Sequence, residues 1–302
     1  MQPKTRLKNS GRARLPPDRP LWRKDEVLRS GEQPQVESFL KTVARASRSL
    51  LMLDYDGTLA PFHRVRDLAL PYPGVAAVLQ ELVRNGRTRV VIISGREASE
   101  AIPLLGIHPC PEVWGLHGLQ RVKPSGKPEV PELDERIPEA LAVAEHWLDY
   151  QQLQRTAEFK TGSIAVHWRG LDESEAEEIR GRVLLGWTPI ADHFGLDLLE
   201  FDGGIEIRPP HADKGDAVRT LLREVGPDTP AAYLGDDTTD EPAFRAINGQ
   251  GLSVLVRPQW RETAAQSWLR PPQQLLDFLT RWLQASRRQD ESGAATAVAV
   301  TG

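Results

Sequence analysis

The chain has 302 residues, 40% hydrophobic and 26% charged, with a formal net charge of −4. That length suits one large domain or two modest ones, and the near balance of charge gives no sign of a nucleic-acid or membrane partner. The single cysteine, Cys110, excludes an internal disulfide framework, and no apolar run approaches the ~20 residues that span a bilayer, so a soluble protein of a reducing compartment, most simply the cytoplasm, is expected.

Residues 1–35, basic and proline-rich ("KTRLKNSGRARLPPDRPLWRK"), lack the apolar stretch of a secretory signal and read as a solvated tail. Apolar runs and helical patterns then alternate. "SLLMLD" is a strand, and "PGVAAVLQELVRNG" places Val75, Val78, Leu79 and Leu82 on one helical face with Gly86 as a stop. "TRVVIIS" is a second buried strand, "REASEAIPLLG" a helix and "EVWGLHG" a third strand. Between 119 and 207 the rhythm changes. A helix ("PEALAVAEHWLDYQQL") leads into two alternating strands around a Thr161-Gly162 turn. A second helix ("ESEAEEIRGRVLLGW") and two short strands ("LDLLEF", "GIEIRP") follow.

The first rhythm then resumes with "KGDAVRTLLREVG" (helix), "AAYLGD" (strand), "EPAFRAIN" (helix), "GLSVLV" (strand) and "PQQLLDFLTRWLQ" (helix); residues 285–302 read as a frayed tail. Continuous apolar strands between amphipathic helices indicate an α/β fold with a Rossmann-like parallel sheet covered on both faces. The expected organisation is a core of 36–118 and 208–284 interrupted by an α+β insertion, a cap domain, over 119–207.

Reactive groups of an open parallel sheet gather at the carboxyl ends of its strands. There the sequence places Asp54 and Asp56 after the first strand, then Ser94, Gly95 and Arg96 after the second. "YLGDDTTDE" adds Asp236 and Asp237, with Asp240 just beyond, and Lys214 opens a helix shortly before. Two acids one residue apart at the mouth of an apolar strand repel each other unless a positive charge lies between them. Converging carboxylates need a cation, and so few protein oxygens suit Mg²⁺, which keeps some of its waters. One acid can be a nucleophile and metal ligand while the other gives and takes a proton. Lys214, Ser94 and the Gly57-Thr58 backbone can stabilise a transferring phosphoryl group.

"DYDGTLAP", "SGR", the lysine of "DKG" and "GDDTTDE" resemble the four motifs of the haloacid dehalogenase superfamily of aspartate-nucleophile phosphatases. More narrowly, "LDYDGTLAPF", "ISGR", "GLHG", "IEIRP…DKG" and "GDDTTDEPAF" resemble the trehalose-6-phosphate phosphatases over residues 50 to 257. The resemblance implies that Asp54 becomes the aspartyl-phosphate and that Asp56 is first acid, then base. It implies Mg²⁺ held by Asp54, the Asp56 carbonyl and Asp236 with Asp237 nearby, and phosphoryl binding by Ser94 and Lys214. Asp240 would orient Lys214 or the metal's water shell. Gly95 and Arg96 belong to the same phosphate-binding motif.

In the insertion, Ser163, Ala165, His167 and Arg169 alternate with Ile164, Val166 and Trp168; Glu158 and Lys160 share a face, as do Glu206 and Arg208. This is either a plain solvated face or one that closes over the site and reads a sugar. The pattern "EFKTGSIAVHWR" resembles the family's cap, which implies substrate contacts for Glu158, Lys160, Ser163, His167, Arg169 and Glu206, with His117 near the hinge. The family often carries a lysine before its glutamate where this chain has "FDGGIE", so the sugar phosphate itself stays open. Alternatives are a phosphatase of sucrose 6-phosphate or a glycosyl-glycerate phosphate, and a non-catalytic module that senses a sugar phosphate. A monomer whose partner is a small-molecule sugar phosphate is expected.

Overall fold

The computed structural model describes residues 34–298 except 64, 125, 128, 130–135, 202, 211 and 212, with side chains of the last helix described to 287. The expected N-terminal tail therefore lies outside the described residues up to 33. Helix α1 (Pro34–Arg45) precedes the first strand and buries Val36, Leu40 and Val43.

Seven strands make the main sheet, in the order β11-β10-β9-β1-β2-β3-β4. They are β1 (Ser49–Leu53), β2 (Thr88–Ile93), β3 (Glu112–Gly115), β4 (Gln120–Val122), β9 (Ala231–Gly235), β10 (Leu252–Val256) and β11 (Ser267–Leu269). All neighbours run parallel except β4, which returns antiparallel to β3. The continuous apolar runs have the cause expected: alternate residues point to opposite faces, and both faces are covered. Leu51 and Leu53 pack with α1, α2 (Val75–Asn85), α3 (Ala98–Leu105) and α8 (Gln273–Val298). Leu50 and Met52 pack with α6 (Lys214–Val225) and α7 (Glu241–Ile247). At roughly 1.5–3 kcal/mol for each large apolar side chain buried, the two layers dominate the stability of this part of the chain.

A separate four-stranded antiparallel sheet, ordered β5-β6-β8-β7, lies between β4 and α6 in the chain. Its strands are β5 (Ala157–Lys160), β6 (Ser163–His167), β7 (Asp197–Phe201) and β8 (Gly204–Arg208). Ile164, Val166, Ile205 and Ile207 form its apolar face, which packs on α4 (Arg136–Gln151) and α5 (Glu173–Phe194) through Ala140, Leu148, Val183 and Trp187. The main sheet keeps β4, which lies beyond the expected start of the insertion at 119. No helix among the described residues is long and apolar enough to cross a membrane.

Two helices outrun their sequence signals. Helix α5 continues through Pro189 to Phe194, where Gly195 takes a left-handed conformation (φ 71°) and ends it. Helix α8 runs on through the segment expected to be a tail. Ala285 and Ser286 are buried, Asn85 donates to Ser286 Oγ at 3.1 Å, and Arg287 pairs with Glu81 at 2.7 Å. Contacts with α2 hold Ser286 and Arg287 in place; residues 299–302 lie outside the described residues.

Candidate active site

The site lies where β1 and β9 end side by side. The Asp54 N–H donates to Leu234 O at 2.9 Å, extending the parallel pairing one residue past the strand, so Asp54 emerges next to Gly235 and Asp236. Gly57 then turns the chain with φ 87°, and a Cβ there would sit 2.1 Å from Asp236 Oδ2. Only glycine allows both the left-handed turn and the approach of the acid loop after β9.

Lys214, the first residue of α6, donates to Asp54 Oδ1 at 2.6 Å and to Asp240 Oδ1 at 2.7 Å. Asp213 caps that helix by accepting from Asp216 N at 2.9 Å, which fixes where the lysine starts. Asp240 is fully buried and fully used. Its Oδ1 also accepts from the Tyr233 hydroxyl at 2.6 Å, and its Oδ2 accepts from the N–H groups of Asp236 and Asp237, both at 2.9 Å. It orients Lys214 and the acid loop, the first of the two roles the resemblance implies for it.

The electrostatics follow from this crowding. Burial, with the neighbouring Asp240 and Asp56 adding and Lys214 opposing, raises the Asp54 carboxyl to about 7. Burial and the charges of Asp54, Asp240 and Asp237 push Asp236 well above the carboxylate range. Lys214, despite its burial, is held above its ordinary value by Asp240 and Asp54.

Oxygens of Asp54, Asp236 and Asp240 lie within 4.8 Å of one another. Since both Asp240 oxygens are occupied, the atoms left to bind are Asp54 Oδ2 and Asp236 Oδ1, each buried with no hydrogen-bond partner among the described residues. Two orphaned, hard carboxyl oxygens in this cluster fit a divalent cation of the oxygen-seeking kind. Asp237, expected near the metal, is nearly buried, and its Oδ1 accepts from Thr238 N at 2.6 Å at the start of the following turn.

Ser94 follows β2 and is fully buried, with its Oγ accepting from Arg96 N at 3.1 Å and its carbonyl from His117 N at 2.9 Å. Gly95 is needed here because a Cβ would lie 2.7 Å from the His117 ring. Arg96, expected on the phosphate, is 2% exposed and forks onto Asp56: Nε to Oδ2 and Nη2 to Oδ1, both 2.7 Å.

The polar face of the second sheet meets this end of the main sheet. Glu206 is 1% exposed; its Oε1 accepts from Lys160 Nζ at 3.0 Å and from Ser163 Oγ at 2.5 Å, and its Oε2 lies 3.1 Å from His117 Nε2. His117 reaches it from a backbone with φ 56° beside Leu116 at φ 52°, a left-handed pair rare for residues with a Cβ. Burial works against the Glu206 charge, but Lys160 and His117 hold the carboxyl well below the usual range. Burial lowers His117, with Glu206 opposing. His167 Nε2 lies 2.7 Å from Glu158 Oε2. Against burial, the His167 contact, Lys160 and Arg66 bring Glu158 down to about 2.

Arg169 lies past the end of β6 and covers the Phe62 ring at 3.8 Å. Glu97 accepts from Thr161 N at 3.0 Å and Thr161 Oγ1 at 2.7 Å. Arg66 pairs with Glu158. Sequence reasoning missed Arg66, Glu97 and Arg261, which donates to the carbonyls of Asp236 (3.2 Å) and Asp237 (2.6 Å) from behind the site. None of the three lies at a strand end or in an alternating pattern, so no local signal marks them.

Residues 52–270 match the family described as trehalose-phosphatase. The chain belongs to the trehalose-phosphatase family. Among its relatives, a probable trehalose-phosphate phosphatase 4 of Oryza sativa subsp. japonica is 28% identical, over 86% of this chain and 74% of that protein. A trehalose-phosphate phosphatase of Mycobacterium marinum is 31% identical, over 78% of this chain but 61% of the relative, so the chain spans about three-fifths of that protein's length. The C-terminal domain of the trehalose-6-phosphate phosphatase of C. albicans superposes with a TM-score of 0.70 over 82% of this chain and 96% of that domain; at 21% identity it shows a shared fold. A haloacid dehalogenase-like hydrolase from Bacteroides thetaiotaomicron, 13% identical with a TM-score of 0.57 over 78% of this chain and 99% of that chain, shares the fold.

Proposed function

We propose that this phosphatase hydrolyses trehalose 6-phosphate with Mg²⁺, through an aspartyl-phosphate on Asp54. The observation that carries the reading is the state of Asp54: one oxygen is held by Lys214, and the other is buried without a hydrogen-bond partner among the described residues, as is Oδ1 of Asp236 in the same carboxylate cluster. A carboxylate fixed by one oxygen presents a defined direction of attack. Asp54, Asp236 and the Asp56 carbonyl would hold Mg²⁺, which when bound supplies charge neutralisation for the phosphoryl group.

Asp54 attacks phosphorus, and Asp56 delivers a proton to the sugar oxygen that leaves. Water then attacks the phosphorus of the phosphoenzyme, and Asp56 takes its proton. Lys214 and Ser94 face the phosphoryl oxygens. The segment after β4 serves as a cap: Glu206, Lys160, Ser163, Glu158, His167, Arg169 and His117 bind the sugar and exclude water. What supports this is the contact of that polar face and the β5–β6 turn with the segments that follow β1, β2 and β3, through Arg66, Glu97 and His117.

The test is phosphate release from trehalose 6-phosphate, sucrose 6-phosphate, a glycosyl-glycerate phosphate and p-nitrophenyl phosphate, with Mg²⁺ and with chelator. Trehalose 6-phosphate should be the best substrate, turnover should need the ion, and Asp54→Asn should abolish it. Preference for another sugar phosphate would replace the substrate; steady turnover by Asp54→Asn would exclude the covalent route.

A further inference from the structure

Asp56 sits on the short loop after β1 with its side chain about a quarter exposed. Nothing in its local backbone fixes the carboxylate, since two side-chain torsions separate it from the chain. The described hydrogen bonds that aim it are the two from Arg96, Nε to Oδ2 and Nη2 to Oδ1. Such a fork holds a carboxylate plane in one orientation, which a single charge cannot do. It uses one lone pair on each oxygen and leaves the second for another donor.

Arg96 is held in turn. Its Nη2 also donates to the carbonyl of Arg66 at 3.0 Å, and its guanidinium lies 5.7 Å from the Tyr55 ring centroid. Arg66 opens a single 3₁₀ turn, Arg66–Leu68, whose far side is pinned where the Tyr55 hydroxyl donates to Ala69 O at 2.7 Å. The near side is pinned by the Arg66 guanidinium, which pairs with Glu158 on β5 and reaches Glu100 on α3 at 3.3 Å. An unbroken chain of contacts therefore runs from the second sheet, Glu158, through Arg66 and Arg96 to Asp56.

We propose that Arg96 and Arg66 are positioning residues that aim the Asp56 carboxylate and make its aim depend on the engagement of Glu158. The inference rests on the assignment of Asp56 as the acid and base of the reaction. It bears most directly on the second half-reaction, in which no sugar is present. There the water oxygen forms a bond to phosphorus, the bond from phosphorus to Asp54 breaks, and its electron pair returns to the Asp54 carboxylate. The water's proton goes to an Asp56 oxygen, so that oxygen must face the water's line of attack. Misplacement by about 1 Å can cost ~10²-fold in such a step, and the acid–base contribution at stake is ~10²–10⁴-fold.

The experiment uses p-nitrophenyl phosphate with Mg²⁺, because its good leaving group makes the first step insensitive to the acid and it offers no sugar to the cap. Rapid mixing follows the release of p-nitrophenol, and acid quench counts phosphoenzyme. Arg96→Lys, which keeps a charge and loses the fork, should give a burst of p-nitrophenol and a phosphoenzyme that decays about 30-fold more slowly, within the range for a misaimed base. Arg66→Ala should slow the decay by about 5-fold as the turn loosens, and Arg66→Lys, which can still reach Glu158, should recover most of it. KM for the aryl substrate and the melting temperature of both Arg66 variants should stay close to wild type. Unchanged phosphoenzyme decay, or a loss confined to KM or to thermal stability, overturns the proposal. Asp56→Asn separates the two levels: if it shows the burst and Arg96→Lys does not, positioning fails while the role of Asp56 stands. If Asp56→Asn itself decays normally, the assignment of Asp56 fails and the positioning claim falls with it.

Discussion

Replacing Asp240 with Asn changes one oxygen to an amide and almost no volume, yet it strikes the most connected atoms of the site. The carboxylate accepts four hydrogen bonds, two on each oxygen: Lys214 Nζ and the Tyr233 hydroxyl on one, and the N–H groups of Asp236 and Asp237 on the other. An asparagine can accept on one side only. Its NH₂ must then face two donors, whichever way it is turned. Two hydrogen bonds to a charged acceptor are lost at about 1.5–3 kcal/mol each, and two remain on a neutral one. Lys214 keeps Asp54 as a partner at 2.6 Å, so the loss falls short of stranding a buried charge, which costs about 3–5 kcal/mol.

A destabilisation of about 3–4 kcal/mol is expected, large against the ~5–15 kcal/mol by which folded domains exceed unfolded ones but leaving a folded protein. Turnover should fall by at least ~10²-fold, because Lys214 and the acid loop lose their common anchor. Urea unfolding read by tryptophan fluorescence gives the first number, and phosphate release gives the second. A stability change under about 1 kcal/mol with normal turnover would show that Asp240 does not hold the site together.

Gly57→Ala would place a methyl 2.1 Å from Asp236 Oδ2 at a φ of 87°. The left-handed backbone alone costs about 1–2 kcal/mol, and Asp236 must move, so the rise in melting temperature expected of the wild type with Mg²⁺ should vanish in the variant while circular dichroism is unchanged. A normal metal-induced rise would refute the claim that this glycine admits the acid. Glu158 and Glu206 are both held below their ordinary pKa. A depressed carboxyl stabilises the fold fully above its unfolded value near 4.5 and loses that contribution as pH falls through the folded value, here about 2 for Glu158. Stability should thus drop below pH 4.5 by up to ~1.4 kcal/mol per pH unit for each group, and Glu158→Gln should drop less steeply. Equal slopes for the two proteins, from urea unfolding between pH 3 and 6, would count against it.

The strands that carry the chemistry were legible because a parallel sheet covered on both faces demands unbroken apolar runs, and β1, β2, β9 and β10 have them. The convergence of Asp54 and Asp236 followed from their places at strand ends, and that of Lys214 from its place at the start of a helix. Strands β4 and β11, three residues each, carry too few side chains to show a period. The end of α5 was hidden by Pro189 and the continuation of α8 past 284 by a polar, small-residue composition, which burial of Ala285 and Ser286 overrides. Alternation revealed the polar face of β5, β6 and β8, but not its burial, because alternation reports which side a residue is on and not what covers it. The Asp56–Arg96 fork joins residues 40 apart by a contact that only the loop geometry specifies.

The central place of β1 bears on how the chain is made. Its pairing with β2 joins Leu50 to Arg89, while its other edge pairs Leu50 with Ala231. As synthesis proceeds from the N-terminus, the first edge can close once β2 has emerged. The second stays bare until some 140 further residues have followed, the whole insertion included. An apolar strand with an open edge invites pairing with another chain, and contacts so distant in sequence form slowly. The nascent protein thus spends its longest exposed interval with the strand that leads to Asp54 half-paired, and conditions that stall translation within the insertion would favour aggregation over folding.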